Sequence, residues 1–241
     1  LRGTCTFERT ELRAFKACYT FEYFKLLQDL NHIRIQSAGH SSRGLTADER
    51  ERLTALAMKS ASLHYGELRR ELALNGEERF NTVRYQLDDV DAEEKKTRFQ
   101  AMQSYHKIRK ALDGVGKGYI AAFSHEQLDA IATVLSLYKS DERRREQLGS
   151  LGLEDTVIEV LLPLSFSKAG SLSLTAMKKM IPYLEKGINY DEAARAVYGD
   201  HRGHFEKTRT ETLSYGALQK QGALDDITNP VVLRAVSQTC K

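Results

Sequence analysis

Residues 20–33 read TFEYFKLLQDLNHI, and this stretch decides the predicted fold. Its apolar residues recur at intervals of three and four, at Phe21, Phe24, Leu27 and Leu30. That spacing places side chains on one face of an α-helix. The apolar face is widened by Tyr23, Leu26 and Ile33. A stripe of this width is typical of a helix that packs against a protein core.

Helix signals recur along the rest of the chain. Three capping-box pairs, each with a short polar residue followed three positions later by Glu or Gln, precede apolar stripes. These pairs are Thr46 with Glu49, Ser124 with Gln127, and Asn189 with Glu192. Apolar spacing and glycine stops predict further helices over about 65–72, 93–112, 141–148, 156–164 and 173–186. Pro182 lies inside the last of these and predicts a bend or a break there.

No convincing ladder of strands is visible, since short candidates such as residues 81–85 have no clear partners. Only three prolines occur, and the helix formers Leu, Ala, Glu, Lys, Arg and Gln are abundant. The predicted fold class is therefore all-α, an irregular bundle of about ten helices.

Composition excludes several classes of protein. The chain has 241 residues, 41% hydrophobic and 29% charged, with a net charge of +3. That balance is ordinary for a folded chain and too apolar for a disordered one. No apolar run approaches the roughly 20 residues that cross a bilayer, and the first residues have no apolar secretory core. Three cysteines without a C-x-x-C pair predict neither a disulfide framework nor a zinc site, and a reducing, cytoplasmic setting fits them.

Catalytic motifs are missing. The sequence GVGKG at residues 114–118 is not a P-loop, because Ala111 stands where the first glycine belongs and Gly118 follows the lysine. His201 and His204 lack the further ligands that zinc requires, so they are predicted to be solvated loop residues. No nucleophile elbow, zinc-protease helix or dinucleotide fingerprint occurs. The chain is not predicted to be an enzyme by itself, and no cofactor is expected to bind it.

Clusters of basic residues remain, at 69–70, 107–110, 143–145 and 178–179. Guanidinium and ammonium groups next to short polar side chains are what a sugar–phosphate backbone requires. Each cluster fits a solvated helix face equally well, so composition alone leaves both interpretations open.

The order of the segments resembles the α-helical recognition lobe of the type II CRISPR RNA-guided DNA endonucleases, the Cas-nine family, and most of all its compact II-C branch. The resemblance begins with GTCTFERTELRAFKACYTFEYFKLLQDLNHIRI, with a G-x-CTFE start and R-x-x-K before an aromatic helix. It continues through LTADERERL, SYHKIRKAL, LDAIATVLSLYKSDERRREQL and LSFSKAGSLSLTAMKKMIPYLEKGINYDEA, and closes with ITNPVVLRAVSQTCK. Two departures are Cys240, where relatives carry a basic or small pattern, and residues 199–228, which lack the proline-rich character common there.

The resemblance implies a function in which this chain itself carries out no catalysis. In the family, RuvC and HNH domains cleave DNA, with Mg expected as their metal, and neither domain is present here. The lobe cradles the PAM-distal part of the guide RNA–target DNA heteroduplex by its backbone and helps license cleavage. The implied partners are that heteroduplex and the other domains of the parent nuclease, in the bacterial cytoplasm and without a membrane. The alternative is a protein-docking surface that contacts other lobes or a phage anti-CRISPR inhibitor.

The resemblance also implies the nucleic-acid-binding residues. Arg13 and Lys16 match the R-x-x-K before the first helix, where relatives contact the heteroduplex backbone. Ser171 and Ser173 lie in the turn 170–173, which matches a family turn that touches the target strand, and Lys178 lies one helical turn further on. Other candidates lie in or just after the first helix, namely Tyr23, Asn31 and Arg34. Purely structural roles stay open for several of these residues. Arg13 could pair with Glu11 or Glu22, Asn31 could cap its own helix, and both serines could be N-caps.

The predicted domain organisation has three parts. Residues 1–198 form the helical recognition-lobe domain, and residues 199–228 form an irregular connector. Residues 229–241 form a helix, with Asn229 at the N-cap and Pro230 at the first position, that leads toward a RuvC segment outside this chain.

Overall fold

The computed structural model describes residues 2–37, 41–85, 90–99 and 101–199, together with the helical residues 234, 235, 237 and 238. The chain divides into two compact units, Leu1–Val197 and Tyr198–Lys241. The predicted connector at 199–228 and the predicted N-cap at Asn229 lie outside the described residues, apart from Gly199.

The described part of the chain is mostly helical, which confirms the predicted class. Between residues 19 and 198 it contains ten α-helices. They are α1 (Tyr19–His32), α2 (Ala47–Lys59), α3 (Tyr65–Leu72), α4 (Val90–Lys96), α5 (Gln103–Leu112), α6 (His125–Leu137), α7 (Asp141–Ser150), α8 (Asp155–Leu161), α9 (Leu174–Glu185) and α10 (Tyr190–Tyr198). A 3₁₀ turn, Tyr119–Ala122, precedes α6.

Five short strands accompany these helices in the described part of the chain, so the prediction that no strand ladder exists was wrong in this detail. They are β1 (Arg34–Gln36), β2 (Ser42–Gly44), β3 (Leu63–His64), β4 (Arg79–Phe80) and β5 (Arg98–Phe99). One antiparallel sheet has the order β2-β1-β4, and a two-stranded antiparallel sheet joins β3 to β5. The strands have only two or three residues each, which is too short to leave a period-two pattern in the sequence.

Helix α1 lies at the centre of the first unit and packs against α2, α5, α6 and α9. Its apolar stripe is the one that the sequence predicts. Leu26, Leu30 and Ile33 are at most 1% exposed. This helix therefore fixes the position of the segment that leads into it, residues 13–18.

The predicted capping boxes of α2 and α6 are confirmed. Thr46 Oγ1 accepts from Glu49 N at 3.2 Å while the Glu49 carboxylate accepts from Thr46 N at 2.7 Å. Ser124 and Gln127 make the same reciprocal pair. At the third site, Asn189 Oδ1 accepts from Glu192 N at 2.9 Å.

The single helix predicted over 93–112 is wrong. Helix α4 ends at Lys96, β5 follows, and α5 begins only at Gln103. The helix stops because Phe99 pairs with Leu63 across the β3–β5 sheet, and because Met102 adopts a left-handed conformation with φ of 52°. At Pro182, by contrast, the helix continues unbroken to Glu185.

Within the described residues no helix has both the length and the apolar character to span a bilayer.

Candidate nucleic-acid interface

Two segments far apart in the chain pair directly in front of α1. Phe15 and Ala169 form an antiparallel bridge. Ala14 N donates to Leu172 O and Gly170 N donates to Ala14 O, both at 2.8 Å, and Lys16 N donates to Lys168 O at 2.7 Å. We call residues 13–16 and 168–172 together the ledge. The ledge brings Arg13, Lys16 and Ser171 into one local structure.

Lys16 and Ser171 are the exposed polar side chains of the ledge that share a cavity. They lie on the rim of an open cavity of about 470 Å³. The Lys16 ammonium makes no hydrogen bond or ion pair with any residue that the structure describes. Ser171 is anchored through its backbone carbonyl, which accepts from Thr6 N at 3.2 Å and from Thr6 Oγ1 at 3.3 Å. Its hydroxyl makes no hydrogen bond with a residue that the structure describes.

Arg13 is half-buried and is held against the N-terminal segment. Its Nε donates to Thr4 O at 2.9 Å, and its guanidinium lies over Gly3. Among the described residues it forms no ion pair with Glu11 or Glu22. Glu22 instead accepts from the backbone N of Ser104 and Tyr105 at the start of α5. The Arg13 guanidinium therefore has no carboxylate partner among the described residues and lies against the N-terminal segment.

Ser173 and Asn31 act inside the protein. Ser173 is 1% exposed, and its Oγ accepts from Ala176 N at 3.2 Å as the N-cap of α9. Asn31 is 8% exposed, and its Nδ2 donates to Leu184 O at 2.8 Å and Ile188 O at 3.0 Å. Asn31 thus caps the end of α9 rather than its own helix. In this structure neither side chain presents a group to a nucleic-acid backbone.

Tyr23 and Lys178 have carboxylate partners. The Tyr23 hydroxyl donates to Glu185 Oε1 at 2.9 Å, and its ring stacks on Tyr19 with centroids 5.9 Å apart. Burial, together with the Glu185 carboxylate, raises the pKa of Tyr23 well above its usual value. Lys178 Nζ lies 3.0 Å from Glu126 Oε1 on the protein surface.

Arg34 lies at the opposite end of α1 from the ledge. Its guanidinium donates to Asn31 O at 2.8 Å and Ile33 O at 3.1 Å, so it covers the C-terminal carbonyls of the helix. The 14 residues of α1 span about 21 Å at 1.5 Å per residue. The structure therefore separates Arg34 from Arg13, Lys16 and Ser171.

Most of the other basic clusters hold helices in place. Arg69 is buried and paired with Glu94. The Arg109 guanidinium donates to Met58 O and Lys59 O at the end of α2. Arg144 is 5% exposed and donates to Tyr138 O at 2.9 Å and Leu162 O at 3.2 Å. These arginines satisfy helix C-terminal and loop carbonyls that would otherwise lack donors.

Sequence reasoning missed the aromatic and polar walls of the cavity beside the ledge. They include Phe21, Gln28 and Tyr190. Residues 21 and 28 lie seven positions apart, so helical periodicity alone could have placed them on one face of α1. Tyr190 left no comparable signal, because its position depends on how α10 packs.

No group of three or more His, Cys, Asp or Glu side chains suited to a metal ion occurs among the residues that the structure describes.

Comparison with known proteins identifies relatives over the whole chain. The sequence is 26% identical over 241 residues to the CRISPR-associated endonuclease Cas9 of Campylobacter jejuni, covering 99% of this chain and 22% of that protein. It is 25% identical over 257 residues to CRISPR-associated endonuclease Cas9 1 of Streptococcus thermophilus, covering 100% of this chain and 21% of that protein. The chain thus spans about a fifth of the length of these relatives.

Solved structures share the fold. The crystal structure of Campylobacter jejuni Cas9 in complex with sgRNA and target DNA superposes with a TM-score of 0.63 at 21% identity, over 100% of this chain and 28% of that chain. The type II-C Cas9 enzyme from Actinomyces naeslundii gives a TM-score of 0.61 at 15% identity, over 83% of this chain and 20% of that one.

The family model of the Cas9 alpha-helical lobe domain matches residues 1–151, more than half of the chain. This match agrees with the ordered motifs, with the helical architecture and with relatives that cover the chain from end to end. The chain therefore belongs to the Cas9 alpha-helical lobe family.

Proposed function

We propose that this chain binds the sugar–phosphate backbone of a guide RNA–target DNA heteroduplex through the ledge. The observation that carries the proposal is the pairing of residues 13–16 with 168–172, which gathers Arg13, Lys16 and Ser171. Membership of the Cas9 alpha-helical lobe family supports it. So does the Campylobacter jejuni Cas9 structure, a fold relative that is in complex with sgRNA and target DNA.

The chemistry of the ledge suits phosphate contacts rather than base reading. Lys16 offers an exposed ammonium, Ser171 a hydroxyl and Arg13 the terminal nitrogens of a guanidinium. Donors of this kind fix the position of a duplex without reading its sequence. An RNA–DNA hybrid whose sequence is checked by base pairing needs only such recognition of its shape and backbone.

Membership of the family supports a finer role. We infer that the chain holds the PAM-distal part of the heteroduplex and helps license cleavage by RuvC and HNH domains of a parent nuclease. The chain itself contributes binding and positioning, while cleavage and its Mg ions belong to those domains.

A salt-dependent binding assay tests the ledge. A fluorescently labelled 20-base-pair RNA–DNA hybrid is titrated with the chain at several salt concentrations, and the slope of log K against log salt is measured. Removing one phosphate contact with Lys16→Ala is expected to reduce that slope by about 1. Lys117→Ala is the matched control, because Lys117 is also an exposed lysine and lies in the loop after α5. Its slope is expected to equal that of the parent chain.

Two results would refute the proposal. One is a hybrid affinity too weak to measure even at low salt. The other is an equal loss of slope for Lys16→Ala and Lys117→Ala, which would mean that diffuse charge binds the hybrid. The protein-docking alternative makes the opposite prediction, since a partner captured mainly through apolar contacts would bind with little dependence on salt.

A further inference from the structure

The cavity beside the ledge has the anatomy of a binding pocket. It lies between the start of α1, the turn at 169–172 and the first turn of α10, and its volume is about 470 Å³. Small-molecule pockets typically measure about 300–1,000 Å³. We call it the Phe21 pocket, with a wall and rim that include Lys16, Phe21, Phe24, Gln28, Ser171 and Tyr190.

The wall of the Phe21 pocket is aromatic. Phe24 is 4% exposed and meets Tyr190 edge to face, with ring centroids 6.1 Å apart. Phe21 lies so close to Gly170 that a Cβ at this glycine would fall 2.3 Å from the ring carbon Cε2. Glycine therefore lets the Phe21 ring pack directly on the backbone of the turn, while part of the half-buried ring faces the pocket.

The rim carries polar groups that have no partner among the residues that the structure describes. Within the described residues, the side chains of Lys16, Gln28, Ser171 and Tyr190 make no hydrogen bond or ion pair. Lys25, which also lines the pocket, differs because it is paired with Asp29. An apolar wall with a few convergent polar groups that are available for hydrogen bonds is the usual arrangement of a pocket that binds a small molecule.

We propose that the Phe21 pocket takes one unpaired nucleotide of the bound hybrid. Its base stacks against Phe21, the Gln28 amide meets the edge of the base, and its phosphate lies at Lys16. This inference rests on the proposed function. Lys16 and Ser171 belong both to the ledge and to the rim, so a nucleotide can enter the pocket while neighbouring phosphates stay on the ledge.

An unpaired nucleotide suits the pocket better than a paired one. Paired bases are held in the stack of the duplex, whereas a bulged or mismatched base costs least to extrude. Aromatic side chains hold extruded bases of any sequence, because every base has a π-face. The positive charge of Lys16 complements the phosphate that follows the base into the pocket.

Two hybrids of 20 base pairs test the inference with the full chain. One is fully paired, and the other carries a single bulged 2-aminopurine deoxynucleotide in its DNA strand. The bulged hybrid is expected to bind on the order of tenfold more tightly, the gain of one stacked base. The fluorescence of 2-aminopurine is expected to fall on binding, because stacking quenches it.

Variants separate the pocket from the ledge. Phe21→Leu removes the aromatic face and keeps an apolar side chain, so the preference for the bulge and the quenching are expected to disappear while the paired hybrid still binds. Gln28→Ala changes only a rim side chain and is expected to weaken the bulge preference without risk to folding. Phe123→Leu is the matched control, a half-buried aromatic in the segment before α6, and is expected to change neither readout.

The outcomes distinguish the two proposals. If neither hybrid binds, the proposed function is refuted and the pocket inference falls with it. If both hybrids bind with equal affinity and the fluorescence is unchanged, only the pocket inference is overturned. Equal effects of Phe21→Leu and Phe123→Leu would overturn it as well.

Discussion

Glu94→Ala is the substitution whose cost the structure defines best. The Glu94 side chain is fully buried. Its carboxylate accepts from Arg69 Nε at 2.6 Å, from Arg69 Nη2 at 2.8 Å and from the Tyr85 hydroxyl at 2.6 Å. The same guanidinium donates to the carbonyls of Asn75 and Glu78, so it ties α3 to the loop before β4 and to α4.

Alanine at position 94 leaves the Arg69 guanidinium buried without its counter-ion. Arginine stays protonated inside proteins even without a carboxylate partner, so this charge persists in the variant. Removing one partner of a buried ion pair costs about 3–5 kcal/mol of unfolding free energy. With a urea m-value of about 3 kcal/mol/M, the unfolding midpoint is expected to fall by about 1–1.7 M.

Urea unfolding followed by circular dichroism measures this shift. Glu159→Ala breaks the exposed Arg145–Glu159 pair and serves as the control, with a midpoint expected to match the parent chain. The double variant Arg69→Met with Glu94→Leu replaces the pair by apolar groups and is expected to recover most of the loss. A midpoint for Glu94→Ala that differs no more than that of the control would refute the reasoning.

Three further predictions follow from local geometry. Thr46→Ala removes the side-chain acceptor at the start of α2 and is expected to cost about 1 kcal/mol in urea unfolding, and an unchanged midpoint would contradict the cap. Burial raises the pKa of Asp129, so the folded state keeps a proton that the unfolded chain has lost. The stability of the parent chain relative to Asp129→Asn is therefore expected to fall as pH rises from the ordinary value of 3.8 through the raised pKa, and a difference independent of pH would exclude this assignment. Gly170→Ala forces the Phe21 ring to move and is expected to cost about 1–3 kcal/mol, with a loss of bulge preference in the hybrid assay; a variant as stable as the parent would show that the turn yields.

Much of the helical architecture could be predicted from the sequence because its signals are local. The apolar stripe of α1 and the caps of α2 and α6 depend on residues within a few positions of each other. The break between α4 and α5 could not be predicted in this way. It depends on Phe99 pairing with Leu63, a residue 36 positions away in the sequence. A contact over this distance leaves no pattern among the neighbours of Phe99.

In the candidate site, too, features that depend on neighbouring residues could be predicted and most of those that depend on distant residues could not. Lys16 and Ser171 were expected from the family resemblance, and the structure brings them together through the ledge. Ser173 follows its local alternative, an N-cap. The carbonyls that hold Asn31 belong to another helix, so its buried role could not be derived from its own neighbourhood. Gln28 was overlooked because a polar residue on a core-facing helix resembles an ordinary solvent-facing position.

The pairing that forms the ledge has a consequence for how the chain matures during translation. Ala14 and Leu172, which pair across the ledge, are 158 residues apart, so the two segments leave the ribosome at different times. At about 5–20 residues per second, roughly 8–32 seconds separate their synthesis. Throughout that interval α1 can assemble with its early neighbours, but the cationic surface in front of it is incomplete. On the proposed function, a nascent chain would therefore acquire its nucleic-acid-binding surface late and in one step.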